Sequence, residues 1–271
     1  MLFLTADQHR EVLRRLIAVG ERSARGIRHH RVSLEYSSLM LCFLLQNLSA
    51  AETFSRLFTS FGMEWYPVGV SYAVVRVMFE VDVTAHYITQ SPLERARQYI
   101  DFGAILTKRS MDACKKHCGS KDLQWQEAMR LEWQNHWAPR EIEVNKQFEA
   151  VAHSFKCTNK KGKTAVFQNW SGKTLRQMAT EVDHLEAYDT FYGELSSFAH
   201  ADVHLADRYL RSDSDGPIWS QRAGDGDVGN VFRHAASFLT CFLELFGKQF
   251  GTCTEKDVSQ CWQIDSHSLN H

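Results

Sequence analysis

The chain is predicted to be all-α, a multi-helix bundle of roughly eight to ten helices. Two observations lead there. Apolar residues recur three and four positions apart along most of the 271 residues, the period of a helix that buries one face. The alternatives lack their signatures. There is no Gly-rich βαβ fingerprint, no G-x-x-x-x-G-K-[ST] phosphate loop and no G-x-S-x-G elbow, so nucleotide-binding α/β folds are disfavoured. With only 15 glycines and 4 prolines, collagen-like and linker-rich chains are excluded as well.

Residues 6–26 place Val12, Leu13, Leu16 and Ile17 on one stripe, with Arg10, Arg14, Arg15 and Glu21 off it. Residues 33–62 give the strongest helix. Ser33 can cap its start and Gly62 sits where a C-cap belongs, while Tyr36, Met40, Phe43, Leu44, Asn47, Ala51, Phe54, Phe58 and Phe61 recur at helical spacing. Pro67 marks a turn. Residues 70–89 follow as a helix, with Val70, Ala73, Val74, Val77, Met78 and Val81 set around Arg76 and Glu80. Ser91-Pro92 opens the next helix, since proline suits the first turn, and it runs through Tyr99, Phe102 and Ile105 to Cys118, before Gly119-Ser120. Residues 122–137 and 140–154 read as two helices broken near Pro139. Lys156 to Gly172 is polar and reads as a loop. A short helix over 174–182 and a long one over 185–211 come next. A loop from Ser212 through Gly226 follows, then a core helix over 228–250 carrying Val231, Phe232, Ala235, Phe238, Leu239, Phe242, Leu243 and Phe246. The tail, 251–271, is polar and is expected to fray. The whole reads as one domain, 1–271, with its core at 33–250.

The charges nearly cancel, 31 Lys+Arg against 32 Asp+Glu. Broad, sequence-independent duplex binding is therefore not expected. The layout is uneven, however. Lys108, Arg109, Lys115, Lys116 and Lys121 gather in one stretch and Lys156, Lys160, Lys161, Lys163 and Lys173 in another, while 181–227 is acidic. The stretches 108–121 and 156–173 are thus candidate RNA contacts, with Phe167 and Trp170 available to stack. The uneven layout fits a homodimer or a cognate partner protein equally well. No basic-then-apolar leader begins the chain, and no apolar run reaches the roughly 18 residues that span a bilayer. A cytoplasmic protein without membrane contact is expected. The seven cysteines form no C-x-x-C pair and are expected to be reduced thiols. No motif calls for a cofactor.

Two constellations carry candidate chemistry. Arg76 and Glu80 are four apart on one helical face and have apolar neighbours on nearly all sides. A charge buried alone there would cost several kcal/mol, on the order of 3–5, so each needs a partner. Asp82 and His86 make a second four-apart pair, about 200° around the helix from Glu80. Later, Tyr192, Ser196, His200 and His204 step by four along one ridge. His200, His204 and Asp207 have a spacing that can hold a metal ion. Ser196 with His200 as its base can be drawn as a nucleophile, but nothing in the sequence builds an oxyanion hole.

The order of these pieces resembles a large bacterial family of uncharacterised all-α proteins that is loosely similar to HEPN-type domains of toxin–antitoxin and phage-defence systems. The pieces are Arg76-x-x-x-Glu80, then Asn169-Trp-Ser-Gly-Lys-Thr-Leu-Arg-Gln-Met-Ala179, then Tyr192-x-x-x-Ser196-x-x-x-His200. The resemblance spans roughly residues 33–211 and implies a HEPN-like bundle with Arg76, Glu80, Tyr192, Ser196 and His200 as its polar centre. It further implies a defence or toxin-type protein with metal-independent ribonuclease chemistry. HEPN ribonucleases pair an arginine with a histidine one to two helical turns on. Such pairs fall here at Arg22 and His29, at Arg25 and His30 and at Arg130 and His136, not in the 185–211 helix. Two further readings stay open: a non-enzymatic binding or regulatory module with a structural polar centre, and a metal-dependent bundle enzyme using His200, His204 and Asp207.

Overall fold

The computed structural model describes residues 4–27, 33–63, 65–118, 123–158, 164–199, 210–213, 216–219 and 225–264. In chain order the helices are α1 (Ala6–Gly26), α2 (Leu34–Phe61), α3 (Val68–Thr89), α4 (Pro92–His117), α5 (Leu123–Glu132), α6 (Glu141–Ala152), α7 (Leu175–Glu181), α8 (Leu185–Ala187), α9 (Gly193–Ala199), α10 (Asp225–Phe250) and α11 (Glu255–Ser259). A π-helical turn, Trp133–Trp137, and a 3-10 turn, Ala138–Arg140, link α5 to α6, and a second π turn, Tyr188–Tyr192, links α8 to α9. Two short antiparallel hairpins complete the fold. β1 (Lys156–Thr158) pairs with β2 (Thr164–Val166), and β3 (Leu210–Asp213) with β4 (Gly216–Trp219). The chain is mostly helical, as its periodicity predicts.

The helix ends follow local chemistry. Thr5 and Gln8 form a capping box at α1: the Gln8 amide donates to Thr5 Oγ1 at 3.2 Å and the Thr5 amide to Gln8 Oε1 at 2.8 Å. Ser33 Oγ accepts from the Tyr36 amide at 3.1 Å and starts α2. Gly62 ends that helix at φ 65°, and its amide donates to the Phe58 carbonyl at 2.8 Å. This is the left-handed closing residue that glycine adopts without a Cβ penalty.

The described residues fall into two compact units, one of residues 1–90 and 175–271, the other of residues 91–174. In the first, α10 is the central helix and packs on α1, α2 and α3. Its Val231, Phe232, Ala235, Leu239, Phe242, Leu243 and Phe246 are fully buried, with Val12, Leu13 and Leu16 of α1 and Met40, Leu44 and Phe54 of α2. In the second, Met111, Cys114, Trp137 and Val144 form a cluster. Phe102 meets Phe155 edge-on at 5.3 Å, and Tyr99 meets Trp170 at 5.2 Å. Among the described residues no helix is long and apolar enough to cross a membrane, and Cys42, Cys114, Cys118, Cys241, Cys253 and Cys261 form no disulfide.

Three expectations need correction. The polar stretch 156–172 holds the β1–β2 hairpin, because Cys157-Thr158 and Thr164-Ala165-Val166 supply β-branched residues on both sides of the turn. The 185–211 helix does not run unbroken. It passes through the π turn at Tyr188–Tyr192, is described to Ala199, and residues 210–213 are strand. Ser212-Asp213 and Gly216-Pro217, expected in a loop, are strand and pair across β3 and β4. The tail does not fray over 255–262. Thr254 and Asp257 cap α11 reciprocally, Val258 and Cys261 are buried, and the Trp262 indole donates to Thr240 Oγ1 at 3.0 Å.

That return of the chain depends on Gly247. A Cβ there would collide with the carbonyl oxygen of Cys253, and backbone cannot move aside cheaply. Gly247→Ala is expected to lower unfolding free energy by about 1–3 kcal/mol, read by denaturant titration.

His234 on α10 is buried against Phe191 and Phe238. Burial pulls its pKa from 6.5 down to about 4, with Arg233 and His9 pulling the same way. Its folded value lies below its unfolded one. The stability it contributes is therefore complete above pH 6.5 and is lost as pH falls towards 4, by about 3 kcal/mol. His234→Leu is expected to flatten that limb of the stability–pH curve. An unchanged limb would place its origin in other groups.

Candidate functional site

Helix α3 is apolar in composition yet carries polar side chains on two faces, and the segment 175–199 meets both. On the first face, Phe79 is buried and packs on Tyr192 at 5.9 Å, Tyr188 at 6.4 Å and Phe238 at 5.3 Å. The π turn carries Tyr188 and Tyr192 stacked at 4.7 Å, which aims the Tyr192 hydroxyl along α3. There it meets Arg76 and Glu80. Arg76 Nε donates to Glu80 Oε1 at 2.8 Å and Arg76 Nη2 to the Tyr192 hydroxyl at 2.9 Å; that hydroxyl donates to Glu80 Oε1 at 3.0 Å. The guanidinium also stands 5.0 Å from the Tyr192 ring centroid, a cation–π distance.

The three side chains form a closed triangle at a half-exposed position, with the Arg76 side chain 19% and that of Glu80 37% accessible. Burial works against the Arg76 charge, but the Glu80 carboxylate and the Tyr192 hydroxyl together outweigh it and hold the guanidinium above its usual pKa. Burial, and then the Glu80 charge, push the Tyr192 phenol up. The group is thus a fixed positive charge, an acceptor and a reluctant acid, held on two helices.

Of the other expected centre residues, Ser196 is half-buried on α9, one turn beyond Tyr192, and is not a member of the triangle. His200, His204 and Asp207 lie outside the described residues, as do His29 and His30. Arg130 is bound by Glu127 at 2.8 Å, and His136 contacts Arg140 at 3.0 Å. Within the 108–121 stretch, Lys108 pairs with Asp112 at 2.5 Å and Lys115 with Glu141 at 2.7 Å. Arg109 donates to the carbonyls of Phe167 and Gln168. These cations serve contacts within their own unit.

A second cluster occupies the other face of α3. Asp82, only 1% exposed, meets His184 Nε2 through Oδ2 at 3.1 Å and lies 3.3 Å from His86 Nδ1 through Oδ1. The two imidazoles are 4.5 Å apart, centre to centre. Burial pushes the Asp82 carboxyl up, but the two histidines outweigh it and hold the group below the usual carboxylate range. The Asp82 bond raises the His184 pKa, burial opposing it. Asp82 could be suspected from sequence, since an aspartate between Val81 and Val83 in an apolar helix needs a partner. His184 could not, as it stands in the short α7–α8 connection beside Asp183, whose φ is 60°, with no motif around it. Among the described residues, Asp82, His86 and His184 are the one group of three whose donor atoms lie close enough to share a metal ion.

The family of unknown function (DUF5677) matches residues 38–217, a span that holds both clusters. No curated protein and no solved structure matches.

Tyr192→Phe removes the hydroxyl that links the two sides of the triangle. It is expected to cost about 1 kcal/mol of stability. A double-mutant cycle with Arg76→Ala should show a coupling of at least about 0.5 kcal/mol; additive losses would mean that the contact contributes nothing.

Proposed function

The chain belongs to the DUF5677 family, whose function is unknown, and from that premise we propose that it is a HEPN-like protein of defence or toxin type that acts on RNA, with Arg76, Glu80 and Tyr192 at its reactive centre. One observation carries the reading. An arginine, a carboxylate and a phenol from chain segments more than a hundred residues apart meet at a half-exposed position, rather than pairing with groups on the surface.

The chemistry is transesterification at a phosphodiester. The Glu80 carboxylate takes the proton of a ribose 2′-hydroxyl; Oε1 already accepts from Arg76 and Tyr192, so Oε2 is the oxygen that takes it. The 2′-oxygen bonds to phosphorus and the 5′-oxygen leaves. Arg76 stabilises the charge that builds on the phosphorane, and Tyr192 fixes the guanidinium in place. His200, eight residues on from Tyr192, is the proposed donor of the proton to the leaving oxygen. Arg76 supplies the positive charge, so the scheme is independent of metal.

A second reading, a non-enzymatic binding or regulatory module, is favoured by the closure of the triangle. Its hydrogen bonds satisfy one another, as in a structural pin between two helices.

Cleavage of a single-stranded RNA by the full chain separates the two. The first reading expects products ending in a 2′,3′-cyclic phosphate and a roughly 100- to 10,000-fold loss of rate in Glu80→Gln or His200→Ala, each variant still folded at the assay temperature by its melting curve. RNA left intact by a folded wild-type chain, with Arg76→Ala losing stability, would give the second.

A further inference from the structure

The cluster on the other face of α3 is not used by that chemistry. We propose that Asp82, His86 and His184 form a binding site for a late first-row divalent metal ion of the zinc class.

The hydrogen-bond inventory supports it. His184 Nδ1 lies 2.7 Å from the Val182 carbonyl oxygen. A carbonyl only accepts, so Nδ1 carries a proton. The lone pair of Nε2 in the neutral ring then points at Asp82 Oδ2, 3.1 Å away. Two acceptors cannot face each other at that distance without a cation between them. A backbone carbonyl that fixes the tautomer and frees Nε2 is also how metal-ligating histidines are oriented. On the same carboxylate, Oδ1 is buried and has no hydrogen-bond partner. His86 Nδ1 instead makes its bond, 2.9 Å, to the Asp82 backbone oxygen. Thus a buried anion has one oxygen without a hydrogen-bond partner and, with His184 neutral, the other opposed by a lone pair.

The dimensions fit an ion. Donors placed about 2.0–2.2 Å from a tetrahedral zinc stand about 3.3–3.6 Å from one another. Asp82 Oδ2 lies 3.1 Å from His184 Nε2 and Oδ1 3.3 Å from His86 Nδ1, and one donor atom of each residue lies within 4.8 Å of the other two, so a turn of the His86 ring away from the Asp82 backbone oxygen would bring the three to a shared ion. Two imidazoles and one carboxylate suit zinc or iron rather than magnesium or calcium, which take oxygen ligands. Beside the cluster, a cavity of 290 Å³ is lined by His86, His184, Cys241, Glu244 and Lys248 among others. It provides an entry path and room for a water or substrate at the remaining position.

A proton on His184 would also relieve the contact between the lone pairs, and metal titration separates the two answers. The full chain is stripped with chelator, desalted and titrated calorimetrically with Zn²⁺ and, in parallel, Mg²⁺. One Zn²⁺ per chain and no Mg²⁺ heat are expected. Affinity for Zn²⁺ should fall by roughly 100-fold or more in His184→Gln and in His86→Gln, and stay at wild type in His153→Gln, an exposed control. Asp82→Asn is avoided as a sole test because it alters the core. Co²⁺ should give the intense visible bands of a four-coordinate site in the wild type and lose them in His184→Gln. Absence of Zn²⁺ binding, or wild-type binding in both histidine variants, would overturn the site. Neither readout depends on RNA cleavage.

Discussion

The need to satisfy polar side chains on α3 sets much of the structure around it. The helix lies against α10 and is buried over much of its surface, yet it carries Arg76 and Glu80 on one side and Asp82 and His86 on the other. A buried carboxylate such as Asp82 without a partner would cost several kcal/mol, on the order of 3–5, a large share of the stability of a domain. Intrahelical pairing is only a partial answer. Arg76 and Glu80 meet each other, but His86 reaches the backbone of Asp82 and leaves a carboxylate oxygen unpaired. Among the described residues one segment, 184–192, supplies a further partner to each face, His184 to one and Tyr192 to the other.

This accounts for the shape of that segment. A regular helix from 185 onward would present its side chains on one continuing stripe, whereas α3 calls for contacts on two faces. The chain meets both by starting the contacts before α8, where Asp183 takes a left-handed conformation, and by widening the helix at Tyr188–Tyr192. Left-handed backbone at a non-glycine residue and π turns both cost energy and persist where surrounding contacts hold them. The stacked Tyr188 and Tyr192 rings, set on Phe79, are those contacts here.

What was legible in the sequence follows the range of the forces involved. Helices α1, α2 and α10 are local statements: a three-and-four apolar stripe is written within each, α2 adds a capping serine and a closing glycine, and the buried residues of α10 are those its period marks. The pairing of Arg76 with Glu80 was legible for the same reason, and Tyr192 through the resemblance. The hairpins were not, because three- and four-residue strands within polar stretches carry too few positions for an alternating pattern. His184 was not, because its role is set by a carboxylate about a hundred residues earlier. The packed tail was hidden because its polarity masks two buried residues, Val258 and Cys261, on a single turn of helix.

The two clusters share a helix and a segment but not a chemistry. In the Arg76 triangle every assigned hydrogen bond has a donor for its acceptor, and the guanidinium faces a carboxylate. At Asp82 the count fails by one cation: two histidines with committed nitrogens surround a buried carboxylate whose oxygens are left over. A proton or a metal ion closes that count, and the two differ in what they demand. A proton needs only His184. A metal ion needs both histidines, the carboxylate and an open side, and α3 supplies two of the ligands one turn apart while α10 lines the cavity from which an ion would enter. Asp82 would then be retained in an otherwise apolar face because the ion it binds ties α3 to the α7–α8 connection, and the position of that connection in turn governs where Tyr192 meets Arg76.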